Sequence, residues 1–307
     1  RSLDIKPEDP QAIVSMLRAL RMIDQLPEAL QLARESLRFG ISEPAFIDIW
    51  LELEFERGDK DLAIDRRKRI LDEQPDNMAN ATALATIQLR DRRVADAAET
   101  IKRIEGKPGA KLQVSLLKAA LRGANLDAAG CIADFKTITK DLKEDELKGA
   151  SIYLNFSRLM SILGQPGIAV DVLELGRAYQ ERDTAAVDRV LGDTYFAMAK
   201  WSEARAAYER ARESIKEDTE RLLFKRIIEC CMRENKPDDA QSLLDQAGGD
   251  KSKDPQVIML LAQLAETKGD KGKARALLDK AVQLNPQSPI GFRQRAMFYM
   301  NDPAAIE

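Results

Sequence analysis

Histidine is absent from this 307-residue chain, and cysteine appears only three times. Without histidine there is no imidazole base, no Ser-His-Asp or Cys-His pair, and none of the commonest metal ligand. Cys131, Cys230 and Cys231 form no Cys-x-x-Cys spacing, so no zinc site or dithiol is predicted. They read as small apolar fillers, and unpaired thiols suit a reducing compartment, which favours the cytoplasm. Aromatics are scarce at 5%, and β-branched residues form no alternating runs, so no sheet is predicted. No apolar run nears the ~20 residues that cross a bilayer, so membrane insertion is not expected. A formal charge of −3 leaves no basic surplus for phosphates, and nucleic acid is not an expected partner. The glycine-bearing stretches 248–253 and 269–273 lack phosphate-loop spacing and read as turns. Carboxylates are plentiful, but no pair stands out as an acid/base dyad. No catalytic, metal or cofactor site is predicted, and the chain is not expected to be an enzyme. It opens on Arg1, so residues 1–9 read as a leader remnant and the chain as a piece of something longer.

What is present is helical composition. Hydrophobic residues make up 44% and charged residues 32%. Ala, Leu, Lys, Arg, Glu and Gln dominate, and these lose little rotamer freedom in a helix. Apolar residues recur at helical spacing, as in Ile47, Trp50, Leu51 and in Ile258, Leu261, Ala262, Ala265.

The pattern repeats. Leu191-Gly192-Asp193-Thr194-Tyr195 precedes Trp201-Ser202-Glu203-Ala204, with Tyr208 and Ala211 beyond. A second copy runs from Leu261-Ala262 through Ala274, Leu278 and Ala281 to Pro286. An alanine early in the second helix marks each unit: Ala29, Ala63, Ala97, Ala128, Ala169, Ala204, Ala240 and Ala274. The steps are 34, 34, 31, 41, 35, 36 and 34 residues. Prolines check the register. Pro10 and Pro44 stand 34 apart, as do Pro255 and Pro289, each at the start of a first helix. Pro27, Pro166 and Pro237 fall between the two helices of a unit, and Pro75 and Pro286 where a second helix stops. Turn signals recur at Gly58-Asp59, Gly164-Gln165, Asn235-Lys236 and Gly269-Asp270. Residues 10–307 therefore read as one solenoid, with repeats starting near 10, 44, 78, 109, 150, 185, 221 and 255 and a partial ninth from 289. In that last helix Phe292, Ala296 and Tyr299 take the apolar positions.

These residues resemble the tetratricopeptide repeat, over about residues 10 to 300. Two departures stand out. Arg67 occupies a position where a large apolar residue is expected, and Phe135 one where a small residue is expected. Residues 139–149 read as a charged insertion between repeats four and five. The resemblance implies an all-α, right-handed superhelical solenoid of about eight two-helix repeats plus a terminal helix. It implies first helices lining a concave groove that holds an extended peptide or a partner helix.

The expected groove residues follow from that register. Repeat two offers Asp48, Glu52 and Glu56; repeat four offers Gln113 and Leu117; repeat eight offers Met259 and Gln263. From repeat five onward Asn155, Arg158, Arg189, Lys225 and Arg226 form a mainly basic stretch, with Asp193 and Glu229 interleaved. Some family members use an Asn amide at the place of Asn155 to bond a peptide backbone, and an amide both donates and accepts. The expected partner is a protein or peptide, with an acidic or carboxylate-bearing segment on this stretch. The competing reading pairs these cations with Asp193 and Glu229 across neighbouring helices. The Lys, Asn and Arg set by which relatives clamp chaperone tails is not found in three consecutive units. A basic run, Arg66 to Arg69, reads as a solvated helix face paired with Asp65 and Glu73. The function expected is a non-catalytic interaction scaffold. The alternatives are a regulatory or targeting arm of a longer enzyme or export and assembly machine, and a self-assembling solenoid.

Overall fold

The computed structural model describes residues 9–142, 150–179, 184–214 and 222–301. Among them stand seventeen α-helices and no strand. In chain order they are α1 Pro10–Met22, α2 Leu26–Ser36, α3 Pro44–Arg57, α4 Lys60–Glu73, α5 Met78–Arg90, α6 Val94–Ile104, α7 Lys111–Ala124 and α8 Ala128–Asp141. Then come α9 Ser151–Ile162, α10 Pro166–Tyr179, α11 Ala185–Ala197, α12 Trp201–Ser214, α13 Leu222–Arg233, α14 Pro237–Gln246, α15 Pro255–Thr267, α16 Lys271–Leu284 and α17 Pro289–Asn301. Residues 143–149 of the charged insertion lie outside the described residues. No described helix is long and apolar enough to cross a membrane.

The chain gathers into two compact units. One holds Arg1–Leu147 with Arg158–Ile168, the other Lys148–Ser157 with Ala169–Glu307. In the first, each helix from α1 to α8 packs on its successor, and first helices also touch one another, α1 on α3 and α5 on α7. In the second the same holds from α11 to α17, with α13 touching α15. Each unit is thus a helical solenoid in which neighbouring pairs bury each other's apolar faces.

The helices begin where sequence chemistry says they should. The side chains of Asp9, Asp59, Asn77, Asp127, Asp254 and Asp270 each accept a hydrogen bond from a backbone N–H in the first turn of their helix, at 2.9 to 3.0 Å. Prolines 10, 44, 166, 237, 255 and 289 are themselves the first helical residue, where a missing N–H costs nothing.

The turns inside the repeats follow one geometry. Seven of them have three residues with the middle one left-handed: Asp24, Arg92, Leu126, Gly164, Ala199, Asn235 and Gly269, at φ between 57° and 80°. In each, the N–H after that residue returns to a carbonyl five residues back, as in Gln25 to Leu20 at 2.9 Å and Asp270 to Ala265 at 2.9 Å. That bond satisfies a carbonyl the helix end leaves open. Only two of the seven are glycine, although a side chain in this region costs about 1 kcal/mol. The α3–α4 turn, Gly58-Asp59, is built differently. A Cβ on Gly58 would stand 2.1 Å from Glu54 Oε2. Glu54 is buried there, bonded to Arg34 at 2.7 and 2.8 Å, to the Trp50 indole at 3.0 Å and to the Asp59 N–H at 3.1 Å. The Arg34 guanidinium outweighs burial and holds the Glu54 carboxyl below its ordinary range.

The small residue that marks each second helix sits at its fourth position. Ala29, Ala63, Ala97, Ala169, Ala204, Ala240 and Ala274 are all fully buried there. Repeat four corrects the sequence reading. Ala128 is the first residue of α8 and is exposed, and Cys131 takes the buried place. The step from Ala97 to Cys131 is then 34 and the step to Ala169 is 38, so the extra length belongs after α8 rather than being shared around it. Burial pushes the Cys131 thiol up to about 11 and that of Cys230 up to about 12, so both stay protonated fillers.

Two further expectations change. Leu117 is buried in the first unit's core, because its side of α7 faces neighbouring helices. In α17 Gly291 and Phe298 are buried, whereas Phe292 and Ala296 are exposed. Phe135 is fully buried, so repeat four accommodates the larger side chain.

Gly192 shows how tight the helix contacts are. A Cβ there would come within 2.5 Å of two ring carbons of Tyr208, itself fully buried and bonded through its hydroxyl to Asp193 at 2.8 Å. The ring cannot swing away without leaving that bond. Gly192→Ala is expected to cost about 1–3 kcal/mol in urea unfolding. Gly272→Ala, whose Cβ would meet nothing closer than 3.9 Å, serves as the control and should be neutral or stabilising.

Candidate functional site

In the first unit, the acidic row predicted on α3 is already neutralised. Arg21 on α1 pairs with Glu56 at 3.1 Å. Arg90 on α5 pairs with Glu52 at 2.9 Å and Glu56 at 3.5 Å, and its guanidinium lies 4.7 Å from the Phe55 ring centre. Asp48 receives Arg67 from α4 at 2.9 Å. Arginines one repeat to either side thus bridge three successive first helices.

Arg67 explains its own departure from the repeat pattern. It is 1% exposed and fills the place of the expected apolar residue. Its guanidinium donates to Asp48 Oδ1, to the Asp48 carbonyl at 3.4 Å and to Asn80 Oδ1 at 3.3 Å, while Asn80 donates back to the Arg67 carbonyl at 2.9 Å. The Nε alone has no partner. The basic run therefore does not form one solvated face: Arg67 points inward, and Lys68 pairs with Asp96 of the next repeat at 3.7 Å. Arg66 and Arg69 make no ion pair among the described residues, with Asp65 and Glu73 included.

In the second unit, α11, α13 and α15 line a trough of about 640 Å³. Its walls are Phe196, Arg226, Glu229, Met232, Arg233, Gln263, Glu266 and Thr267. Arg226 lies 4.9 Å over the Phe196 ring and pairs with Glu229 at 3.0 Å. Arg233 lies 5.7 Å over Trp201, whose ring meets Phe196 edge-on at 4.9 Å. These stacked contacts fix long side chains that would otherwise lose entropy on binding.

The sequence-predicted residues divide accordingly. Arg226, Glu229 and Gln263 stand in the trough wall. Arg189 pairs with Asp193 at 3.8 Å one turn on, and Asp193 also accepts the Tyr208 hydroxyl. Burial, and then that bond, pushes the Tyr208 hydroxyl above its ordinary range. Lys225 is half-buried on α13 without an ion pair among the described residues. Asn155 and Arg158 are exposed on α9; Asn155 belongs to the second unit and Arg158 to the first. The pairing of cations with Asp193 and Glu229 occurs within one helix, at i,i+4 and i,i+3, rather than across helices. Phe196, Met232 and Arg233 were not anticipated. The adjacent aromatics Tyr195 and Phe196, shortly before Trp201, were the available signal.

Among the described residues no group of His, Cys, Asp or Glu could hold a metal ion. The fold defines an all-helical repeat protein. The tetratricopeptide repeat-like domain matches over residues 76–234, and a further tetratricopeptide repeat match covers residues 231–291. The first match alone spans more than half of the chain, which belongs to the tetratricopeptide repeat family. Proteins of this family serve in general as interaction scaffolds, and their repeats are generally non-catalytic. No curated protein matches the chain. Among solved structures, a chain of the APC/C hetero-tetramer Cut9-Hcn1 is similar at 14% identity and a TM-score of 0.41. The match covers 95% of this chain and 56% of that one, so this chain spans little more than half its length. The C-terminal part of a TPR repeat-containing protein from Cytophaga hutchinsonii is similar at 15% identity, with 80% and 98% covered and a TM-score of 0.42. YrrB, described as a TPR protein with an unusual peptide-binding site, is similar at 14% identity, with 75% and 97% covered and a TM-score of 0.38.

The Arg67 geometry sets an expectation. Arg67→Ala empties a buried volume and strips a partner from Asn80, and should cost about 2–4 kcal/mol in urea unfolding. Arg67→Met refills the volume without the charge and should cost less than half as much. Equal losses for the two would contradict the packing role.

Proposed function

We propose that the chain is a non-catalytic scaffold that holds an extended peptide or a partner helix along the first helices of its second unit. The trough between α11, α13 and α15 carries this reading. It offers an apolar wall in Phe196 and Met232 beside two cations, Arg226 and Arg233. Such a wall takes an apolar side chain, and a guanidinium fork takes a carboxylate in two hydrogen bonds. An acidic segment is therefore the preferred ligand, with Lys225, next to Arg226 and without an ion pair among the described residues, adding a charge. Arg189 remains a contributor, because its pair with Asp193 is exposed at both ends and such pairs contribute only about 0–1 kcal/mol. A ligand carboxylate can replace Asp193 there. Asn155, on α9 and grouped with this unit, keeps its proposed role as a backbone contact, whereas Arg158 is grouped with the first unit and is not counted in this groove. Glu229 and Glu266 counter the cations and select against a purely anionic surface without an apolar anchor.

The test is a selection of random dodecapeptides on the purified chain, followed by titration of the winners. Enrichment in Asp and Glu is expected, with affinity falling about tenfold or more for Arg226→Glu with Arg233→Glu. Winners without acidic bias, or winners indifferent to both substitutions, would contradict the reading.

A further inference from the structure

The first unit carries a second cavity that the trough does not use. It has a volume of about 500 Å³ and opens between α3, α4, residues 37–42 and the start of α5. Leu37, Ile41, Ile47 and Ile70 give it an apolar lining. Arg66 and Arg69 stand at its edge, both exposed and both without an ion pair among the described residues. They lie three apart on α4 and so share one face.

The carboxylates facing the cavity are Asp48 and Glu73. Asp48 is occupied by the buried Arg67 at 2.9 Å, which leaves Glu73 against two free guanidinium groups. The local balance is therefore one positive charge in excess. An exposed surface usually spends arginines on nearby carboxylates, as α3 does with Arg21 and Arg90. Here Arg69 has Glu73 one turn away and makes no pair with it.

We infer that this cavity is a docking site for a short acidic protein segment carrying one bulky apolar side chain. The apolar lining removes that side chain from water, which contributes about 1.5–3 kcal/mol for a residue of leucine size. Arg66 and Arg69 then grip flanking carboxylates with planar forks that lysine could not match. Nucleic acid fits less well. Its phosphates would satisfy the arginines and leave the apolar lining wet. The Trp50 ring in the wall is buried, with its indole N–H given to Glu54 at 3.0 Å, so it offers no face for a base to stack on. The site stands independently of the trough proposed above, on different repeats and in the other unit.

The test uses an array of synthetic decapeptides in which Leu, Ile, Phe or Met is flanked by Asp and Glu. Each has a counterpart with Lys for the acids and another with Gly for the apolar residue. Binding is read on the full chain, on Arg66→Glu with Arg69→Glu, and on the trough variant Arg226→Glu with Arg233→Glu. The expected result is a set of acidic apolar peptides that weaken about tenfold in the first variant, keep their affinity in the second, and lose binding in both counterparts. Both arginines of the first variant are exposed, and a circular dichroism melt within a few degrees of the unsubstituted chain confirms its fold. Three results overturn the inference: no acidic apolar peptide binding above its Lys counterpart, binding indifferent to Arg66 and Arg69, or equal binding by the Gly counterparts. Loss confined to the trough variant would assign the peptides to the trough and overturn it as well.

Discussion

Eight second helices carry a small side chain at their fourth position, and all eight are buried to zero exposure: Ala29, Ala63, Ala97, Cys131, Ala169, Ala204, Ala240 and Ala274. Each lies in the packed interior between helices, and a close-packed interior has no slack for a larger group. Much of the remaining geometry depends on that packing. It sets the spacing that lets Tyr208 lie on the Gly192 backbone. Short turns join the paired helices, and seven of them close through a left-handed residue at the same place. Stacking then buries apolar faces that no single helix pair could cover alone.

Charge is arranged differently in the two units. On α3 of the first unit, carboxylates meet arginines from α1, α4 and α5, and the row is largely self-satisfied. Such a row stiffens its surface and offers little to a charged partner. In the second unit Arg226 leans on Phe196 and pairs with Glu229 of its own helix, and Arg233 leans on Trp201, so part of their hydrogen-bonding capacity remains open. The Arg66 and Arg69 pair extends the same logic to the first unit, where the free charges sit beside an apolar cavity.

Much of the fold was legible because helical periodicity and proline placement are local. The repeat family was legible because its small and large positions recur at a fixed step. The failures were also physical. Ala128 drew the register in repeat four because alanine was the marker, whereas the position selects size and a cysteine satisfies it. The shared turn geometry was hidden because Arg92, Leu126 and Ala199 are not residues that usually announce a left-handed turn, whereas Asp24 and Asn235 are. The role of Arg67 was invisible because its partners, Asp48 and Asn80, lie 19 and 13 residues away in sequence. Of the candidate site, Arg226 and Glu229 followed from the register. Phe196, Met232 and Arg233 did not, because they occupy the last turns of their helices, where the repeat pattern fixes little.

The size constraint at the fourth position is tested most directly in repeat four, where two candidate residues compete. Ala128→Leu and Cys131→Leu would be compared by urea unfolding of the whole chain. Ala128 is exposed, so its substitution should fall within about 0.5 kcal/mol of the unsubstituted chain. Cys131 is fully buried, and leucine there should cost about 1–3 kcal/mol, while Cys131→Ala should cost less than Cys131→Leu. A large loss at position 128 with tolerance at 131 would contradict the packing register and the constraint built on it.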